Sequence, residues 1–289
     1  MPFRATDRSY VFVPGNDRDA VATARATDAD ALILDLEDGV GEEGKADARR
    51  VTQRVLADAD EADATHVVRI NGPETEWGAA DLDALLDAER PPDAVMLPNV
   101  RGPADVERVA DRVADVEAVG GVVPLIERPE AVFAAEAIAT ASPGVVAVAF
   151  GHGDFEYHLG TLAAAAETDL SLPRMRVSMA ASVAGVPAID TPHVARDDPE
   201  GLRRSAADAK RRGFDGKMTF LHDQIGAINE AFSPSAEAVE RSRRIVAAFE
   251  AADDAEGVRY VDGEFVDKPV VDAHRERLDR AETLGASTR

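Results

Sequence analysis

The sequence contains no cysteine. Disulfides, zinc–thiolate sites and a cysteine nucleophile are therefore excluded. Aromatic residues are scarce, at 5% with a single Trp, so a core must be assembled from Ala, Val, Leu and Ile. No run of eighteen apolar residues occurs, and the N-terminal stretch MPFRATDRS lacks the apolar centre of a signal peptide. The expectation is a soluble cytoplasmic protein with no membrane partner. Basic residues are also few: 32 against 55 acids, a net charge of −23, and only four lysines (Lys45, Lys210, Lys217, Lys268). Nucleic-acid binding needs a basic face, and the sequence offers none. The acids are spread through patterned segments and not gathered in a tail, which argues against disorder. We read this charge as adaptation to a high-salt, halophilic cytoplasm, where the Debye length falls to roughly 3 Å at about 1 M.

What is present suffices for a full core, since 45% of 289 residues are hydrophobic. Eight runs read as strands: Tyr10–Val13, Ala31–Leu36, His66–Ile70, Ala94–Leu97, Val122–Ile126, Val145–Phe150, Pro187–Asp190 and Asp215–Phe220. Helical patterns lie between them: Asp17–Thr27, Glu43–Ala59, Ala79–Ala88, Pro103–Val116, Pro129–Thr140, Arg174–Ala184 and Pro199–Arg212. Strands alternating with helices imply right-handed βα units. Eight such units predict an α/β fold of the (β/α)8 TIM-barrel type, with its active site at the carboxyl ends of the strands. A doubly wound sheet is the alternative, but no GxGxxG follows any strand. The barrel is expected over residues 1–221. Residues 222–289 read as an extension that packs on a neighbouring subunit or caps the site. It comprises the helices His222–Ala231 and Ser235–Ala252, a hairpin over Val258–Pro269 turning at Asp262-Gly263, and a last helix Val270–Leu284.

The chemistry centres on Val145–Gly160, VVAVAFGHGDFEYHLG. An apolar strand closes on Gly151 and Gly153, with Asp154 just behind. One unit earlier, Val122–Ile126 closes on Glu127. Two acids at neighbouring strand ends suit a hard cation of the Mg2+ type, completed by water and substrate oxygens. Other strand ends carry Pro14-Gly15-Asn16, Asp35 with Glu37 and Asp38, Arg69-Ile70-Asn71, Asn99, Asp190-Thr191 and Lys217. Arg69 offers a planar fork suited to a carboxylate. Each group also has a plainer reading. Glu127 can be a helix N-terminal acid before Pro129, and Asp154 can cap Phe155–Leu159. Arg69 can pair with Asp35 or Glu37, and Asp267 can be a turn acid. Glu37 and Asp38 can orient Arg69 or water on a metal.

Taken in order, these segments resemble the citrate lyase β-subunit-like acyl-CoA lyases of the HpcH/HpaI aldolase superfamily, which include malyl-CoA and citramalyl-CoA lyases. The likeness runs over nearly the whole chain, from Arg8–Asn16 and Ile33–Val40 through Lys45 with Ala48-Arg49, Val68–Asn71, Pro124–Glu127, Phe150-Gly151 with Asp154, and Gly213–Lys217, to Asp262-Gly263, Val266-Asp267 and Pro269. The resemblance implies a (β/α)8 barrel in homotrimers or hexamers. It implies Mg2+ (or Mn2+) on Glu127 and Asp154, with Arg69, Gly153 and Asp154 meeting the 2-oxo acid. It implies Asp267 as the acid/base, reaching a neighbouring subunit's site, and an acyl-CoA substrate touching Pro14, Asn16 and Lys45. The implied reaction is reversible Claisen cleavage of malyl-CoA, methylmalyl-CoA or citramalyl-CoA to acetyl- or propionyl-CoA plus glyoxylate or pyruvate. Other readings are malyl-CoA thioester hydrolysis, a citrate lyase β-subunit acting only in a complex, and a Schiff-base aldolase using Lys217. Two departures touch the CoA end: Asn99 stands where the family commonly has Lys, and His222 falls one place later than the family's His-Pro.

Overall fold

The computed structural model describes residues 3–60, 64–116, 119–162, 168–251, 258–261 and 263–285. Eight parallel strands close into a barrel in sequence order: β1 Ser9–Pro14, β2 Ala31–Asp35, β3 Thr65–Arg69, β4 Ala94–Leu97, β5 Val122–Ile126, β6 Val148–Phe150, β7 Ala188–Asp190 and β8 Gly216–Thr219. Closure is direct, with Ser9–Val11 of β1 against Lys217–Thr219 of β8. The expected TIM barrel is present, and every predicted strand overlaps an observed one.

Strand alternation sorts the side chains into two layers. Tyr10, Phe12, Ile33, Val67, Met96, Val123, Leu125, Ile189 and Met218 fill the barrel. Val11, Val13, Leu32, Leu34, Val68, Val95, Leu97 and Val148 face outward and pack with helix residues such as Val106, Val109, Ile138 and Val177. The same parity aims Asp35, Arg69 and Glu127 inward, one layer above Ile33, Val67 and Leu125. A charged layer therefore sits on an apolar plug, at the carboxyl ends of β2, β3 and β5.

The helices follow the sequence with local differences. Pro129–Thr140 is two short helices, Pro129–Phe133 and Ala135–Ala139, broken at Ala134. The helix predicted from Arg174 begins at Ser171. The piece Phe155–Leu159 offered as capped by Asp154 is a longer helix: His152–Leu159 starts straight after β6 from the N-cap Gly151, with Asp154 inside its first turn, and ends at Gly160 with φ 80°, a left-handed close suited to glycine. No helix among the described residues is long and apolar enough to cross a membrane.

The chain divides into two compact units, residues 1–232 and 233–289. The boundary thus falls after Phe232 and not after residue 221. The helix Ile225–Phe232 belongs to the barrel unit, where it contacts β1, β8 and the helix Pro199–Arg211. In the second unit, the helices Ala236–Glu250 and Lys268–Thr283 pack on an antiparallel ribbon of β9 Val258–Val261 and β10 Glu264–Asp267. Ile245, Val266 and Val271 form its small core. Asp262, expected at the ribbon's turn, lies outside the described residues.

Candidate active site

A cavity of about 890 Å3 opens at the carboxyl ends of the strands. Glu127, Asp154, Arg69, Asp35, Asp38, Gly153 and Pro14 all line it. The sequence therefore brought the two candidate metal ligands and the candidate carboxylate clamp to one place.

Glu127 is 2% exposed, directly after β5. Its Oε1 accepts the backbone N–H of Asn99 at 2.7 Å. Gly151 lets the carboxylate lie close over the backbone: a Cβ there would stand 2.6 Å from Glu127 Oε2. Asp154 sits in the first turn of His152–Leu159, where the N-terminal helix end favours an anion. Burial pushes the Glu127 carboxyl well above its ordinary range, and the charges of Glu37 and Asp154 push it further. Glu37 is raised to about 7, mainly by burial. Its Oε2 lies 2.9 Å from Arg69 Nη1 but receives no well-directed hydrogen bond. Two buried carboxyls raised by burial and by neighbouring acids, around an under-donated oxygen, are the electrostatic setting that a divalent cation relieves. Among the described residues, no three His, Asp or Glu side chains gather as a ready-made cage. The fit is to a hard cation held by two protein carboxylates, with water and substrate oxygens completing the shell.

Arg69 has two occupations. It donates from Nε to Asp35 Oδ1 at 2.8 Å and from Nη2 to Asp35 Oδ2 at 2.6 Å, and Nη1 pairs with Glu37. Phe12 lies under the guanidinium, 4.8 Å from ring centroid to Cζ. The structural pairing with both acids is thus real. Two of the five guanidinium N–H groups are held by Asp35, Nη1 sits beside Glu37, and the residue lines the cavity. Asp35 in turn accepts the N–H groups of Glu37 and Gly39 at 2.9 and 2.8 Å, so one carboxylate orients the whole β2 turn.

The residues proposed for CoA fare unevenly. Pro14 lines the cavity and Asn16 is exposed. Lys45 is turned inward: it is 6% exposed and donates to the carbonyls of Leu36 and Glu37 at 2.8 and 2.7 Å. It supports the β2 loop, with two of its three ammonium N–H groups spent on those carbonyls. Lys217 is fully buried, pairing with Asp190 Oδ2 and Thr191 O, each at 2.6 Å. It shares its strand with the inward-facing Met218 and so points the other way, toward Arg174 and Asp208. An amine on the outer face of the barrel wall cannot meet a carbonyl in the cavity, so a Schiff base at Lys217 is excluded by this arrangement. Asp267 belongs to the second unit, where it caps Lys268–Thr283 by accepting the Val270 N–H at 3.1 Å.

Sequence reasoning underrated three groups. His152 lines the cavity and is fixed by Thr191, whose Oγ1 lies 2.5 Å from its Nδ1. Arg128 joins Asn99, Glu130 and His158. Asn99 was noted at a strand end and as a departure from the family's lysine, with no contact assigned to it. The one signal for it was its place at a strand end after Leu97-Pro98.

A closed parallel barrel with acids and one arginine at its carboxyl mouth is the frame of a TIM-barrel enzyme. Residues 8–221 match the family described as HpcH/HpaI aldolase/citrate lyase, and the chain belongs to that family. Across 286 residues it is 36% identical to a (3S)-malyl-CoA thioesterase of Cereibacter sphaeroides, covering 96% of each chain. It is 34% identical to the citrate lyase subunit beta of Escherichia coli over 288 residues, covering 97% of this chain and 95% of that protein. Protein CitE of Mycobacterium tuberculosis, solved with magnesium, acetoacetate and coenzyme A, superposes with a TM-score of 0.78 at 32% identity. That match covers 97% of this chain and all of the other (100%).

Proposed function

We propose that the chain is a Mg2+-dependent carbon–carbon lyase that reversibly cleaves a carboxylated 3-hydroxyacyl-CoA, of the malyl-CoA, methylmalyl-CoA or citramalyl-CoA type, to acetyl- or propionyl-CoA and a 2-oxo acid. The observation that carries this reading is the buried Glu127 sharing a cavity with Asp154 and Arg69. Glu127 and Asp154 would hold the ion, which supplies Lewis acidity at the substrate hydroxyl and adjacent carboxylate. The guanidinium N–H groups of Arg69 not held by Asp35 would receive the carboxylate and fix the C2–C3 bond in the cavity. Asp35 and Glu37 keep that fork in plane. As the C–C bond breaks, the substrate hydroxyl becomes the oxo group and gives up its proton, while the electron pair stays on the acetyl carbon as a thioester enolate; one acid/base group can take the first proton and return it to that carbon. We assign that role to Asp267, acting in the site of a second copy.

A homo-oligomer fits the surface of the helix Ser171–Ala184. Its exposed positions are Leu172, Met175, Met179, Ser182 and Val183, while Val177, Ala180 and Ala181 pack inward. No acid occurs between Ser171 and Ile189 in a chain of net charge −23. A helix that is apolar on both faces is suited to burial on both, and like-charged copies meet most easily where acids are absent.

Incubation with malyl-CoA and Mg2+, followed by quantification of acetyl-CoA, glyoxylate and free CoA, tests the assignment. The expected result is acetyl-CoA and glyoxylate in equal amounts, lost with EDTA and in Asp154→Ala. Turnover unaffected by either change would overturn it. The malyl-CoA thioesterase relatives favour a second reading, hydrolysis of the same thioester. Free CoA and malate as the products would select that reading.

A further inference from the structure

Asn99 is the only non-glycine residue with a positive φ among the described residues, at 54°. It follows β4 and Pro98, and it is neither at a hairpin nor at a helix end. Asn tolerates this left-handed conformation better than most residues, although it still carries a cost there. The conformation gives two contacts. The backbone N–H of Asn99 donates to Glu127 Oε1 at 2.7 Å. The side chain spans the neighbouring groups, with Nδ2 toward Glu37 Oε1 and Oδ1 accepting from Arg128 Nη1, both at 3.3 Å. Glu37 is the acid beside Arg69, and Glu127 is the acid beside Asp154 in the cavity wall. One strained residue thus ties the carboxylate network of Asp35, Arg69 and Glu37 to the buried carboxylate of Glu127.

We infer that Asn99 is a positioning residue: its left-handed backbone holds Glu127 in the orientation that binds the divalent ion, and its amide sets the distance between Glu127 and Glu37. This rests on the reading of Glu127 and Asp154 as a metal centre. The backbone contact does the larger share. It is short, it is made to a buried carboxylate, and it leaves Glu127 Oε2 as the oxygen facing Gly151. The side-chain contacts are at the long end of hydrogen bonding and are weaker. The two shares can be separated, because glycine keeps the left-handed backbone and removes the amide, whereas a β-branched residue opposes the backbone itself.

The test is Mn2+ binding to the full chain without thioester, followed by the loss of the free-ion EPR signal, for wild type, Asn99→Gly, Asn99→Ala and Asn99→Val. Circular dichroism and thermal melting check that each variant folds. The expected result is an Asn99→Gly dissociation constant within about threefold of wild type, since the side-chain contacts it removes are long, at 3.3 Å, and neither is made to Glu127. Asn99→Val is expected to bind at least tenfold more weakly, with Asn99→Ala between. Rescue by glycine but not by alanine marks the backbone, which a general packing defect would not do. Wild-type binding with folded Asn99→Ala or Asn99→Val equally tight overturns the role of Asn99 alone. If the wild type binds no divalent ion, the metal centre itself fails, and this inference fails with it.

Discussion

Replacing Asp35 by Asn probes the network that orients the site. The carboxylate accepts four hydrogen bonds, two from Arg69 and one each from the backbones of Glu37 and Gly39. Asn is nearly isosteric but offers one acceptor oxygen and an NH2. That NH2 would face either Arg69 Nε and the Glu37 N–H or Arg69 Nη2 and the Gly39 N–H, which are donors in both cases. The change therefore loses two charge-assisted bonds and opposes donor to donor in a buried place, with Arg69 7% exposed. Breaking a buried pair by removing one charge costs about 3–5 kcal/mol. Glu37 still neutralises part of Arg69, so the lower end, about 3 kcal/mol, is expected. At roughly 2–4 °C per kcal/mol for a unit of this size, the melting temperature should fall by about 6–12 °C. The pH dependence follows from the sign of the shift. Burial alone would raise the Asp35 carboxyl, but the hydrogen bonds and charge of Arg69 outweigh it and hold the group below its ordinary value of 3.8. Its stabilisation is present above the unfolded pKa and is lost only as pH falls through the depressed folded one. Thermal unfolding of wild type and Asp35→Asn should therefore show a difference at pH 5 no smaller than at pH 7, since Glu37, raised to about 7, loses its charge in between and leaves Arg69 more dependent on Asp35. A difference below about 1 kcal/mol, or one that shrinks between pH 7 and pH 5, would refute the network.

Asp7, buried ahead of β1, has the opposite sign: burial raises it from 3.8 to about 7. Its contribution becomes unfavourable as pH rises from about 4 to 7, so Asp7→Asn should stabilise the protein at pH 8, by no more than roughly 4 kcal/mol at about 1.4 kcal/mol per unit. Equal unfolding midpoints at pH 8 would contradict this. Borohydride treatment with pyruvate or glyoxylate should leave the intact mass unchanged, because Lys217 is paired with Asp190 on the outer side of the barrel wall; an adduct on Lys217 would reverse that assignment. Melting temperature should rise steadily from 0.1 to 2 M KCl as self-repulsion of the −23 charge is screened. A flat response would remove the high-salt interpretation.

The barrel was legible because its signals are local. Alternating apolar runs and helical patterns need only a window of residues, and every strand end but that of β8, which runs into Phe220-Leu221, is marked by a glycine, proline or charged residue. Glu127 and Asp154 could be placed together because adjacent strands bring their ends together whatever the loop details. The misses have physical reasons too. His152–Leu159 is short, contains Gly153 and has little apolar face, so its period was faint. Lys217 looked like a site cation because a lone lysine at a strand end says nothing about which acids lie behind it, and Lys45, at the start of a helix, was offered to CoA by resemblance alone. Their partners are found at Leu36, Glu37, Asp190 and Thr191, and for Lys217 only the register of the closed barrel decides which way the ammonium turns. The double occupation of Arg69 was stated as an alternative, and it coexists with a place on the cavity. The positioning part of Asn99 was invisible, though the residue was noted at its strand end, because a left-handed backbone at an asparagine leaves no trace in composition or periodicity.

The central claim, that Glu127 and Asp154 jointly hold a divalent ion beside Arg69, is tested most directly by anomalous diffraction from crystals soaked in Mn2+. The account predicts a peak within coordination distance of both carboxylates, absent in Glu127→Gln. A peak elsewhere, or none near these two residues in the wild type, would contradict it.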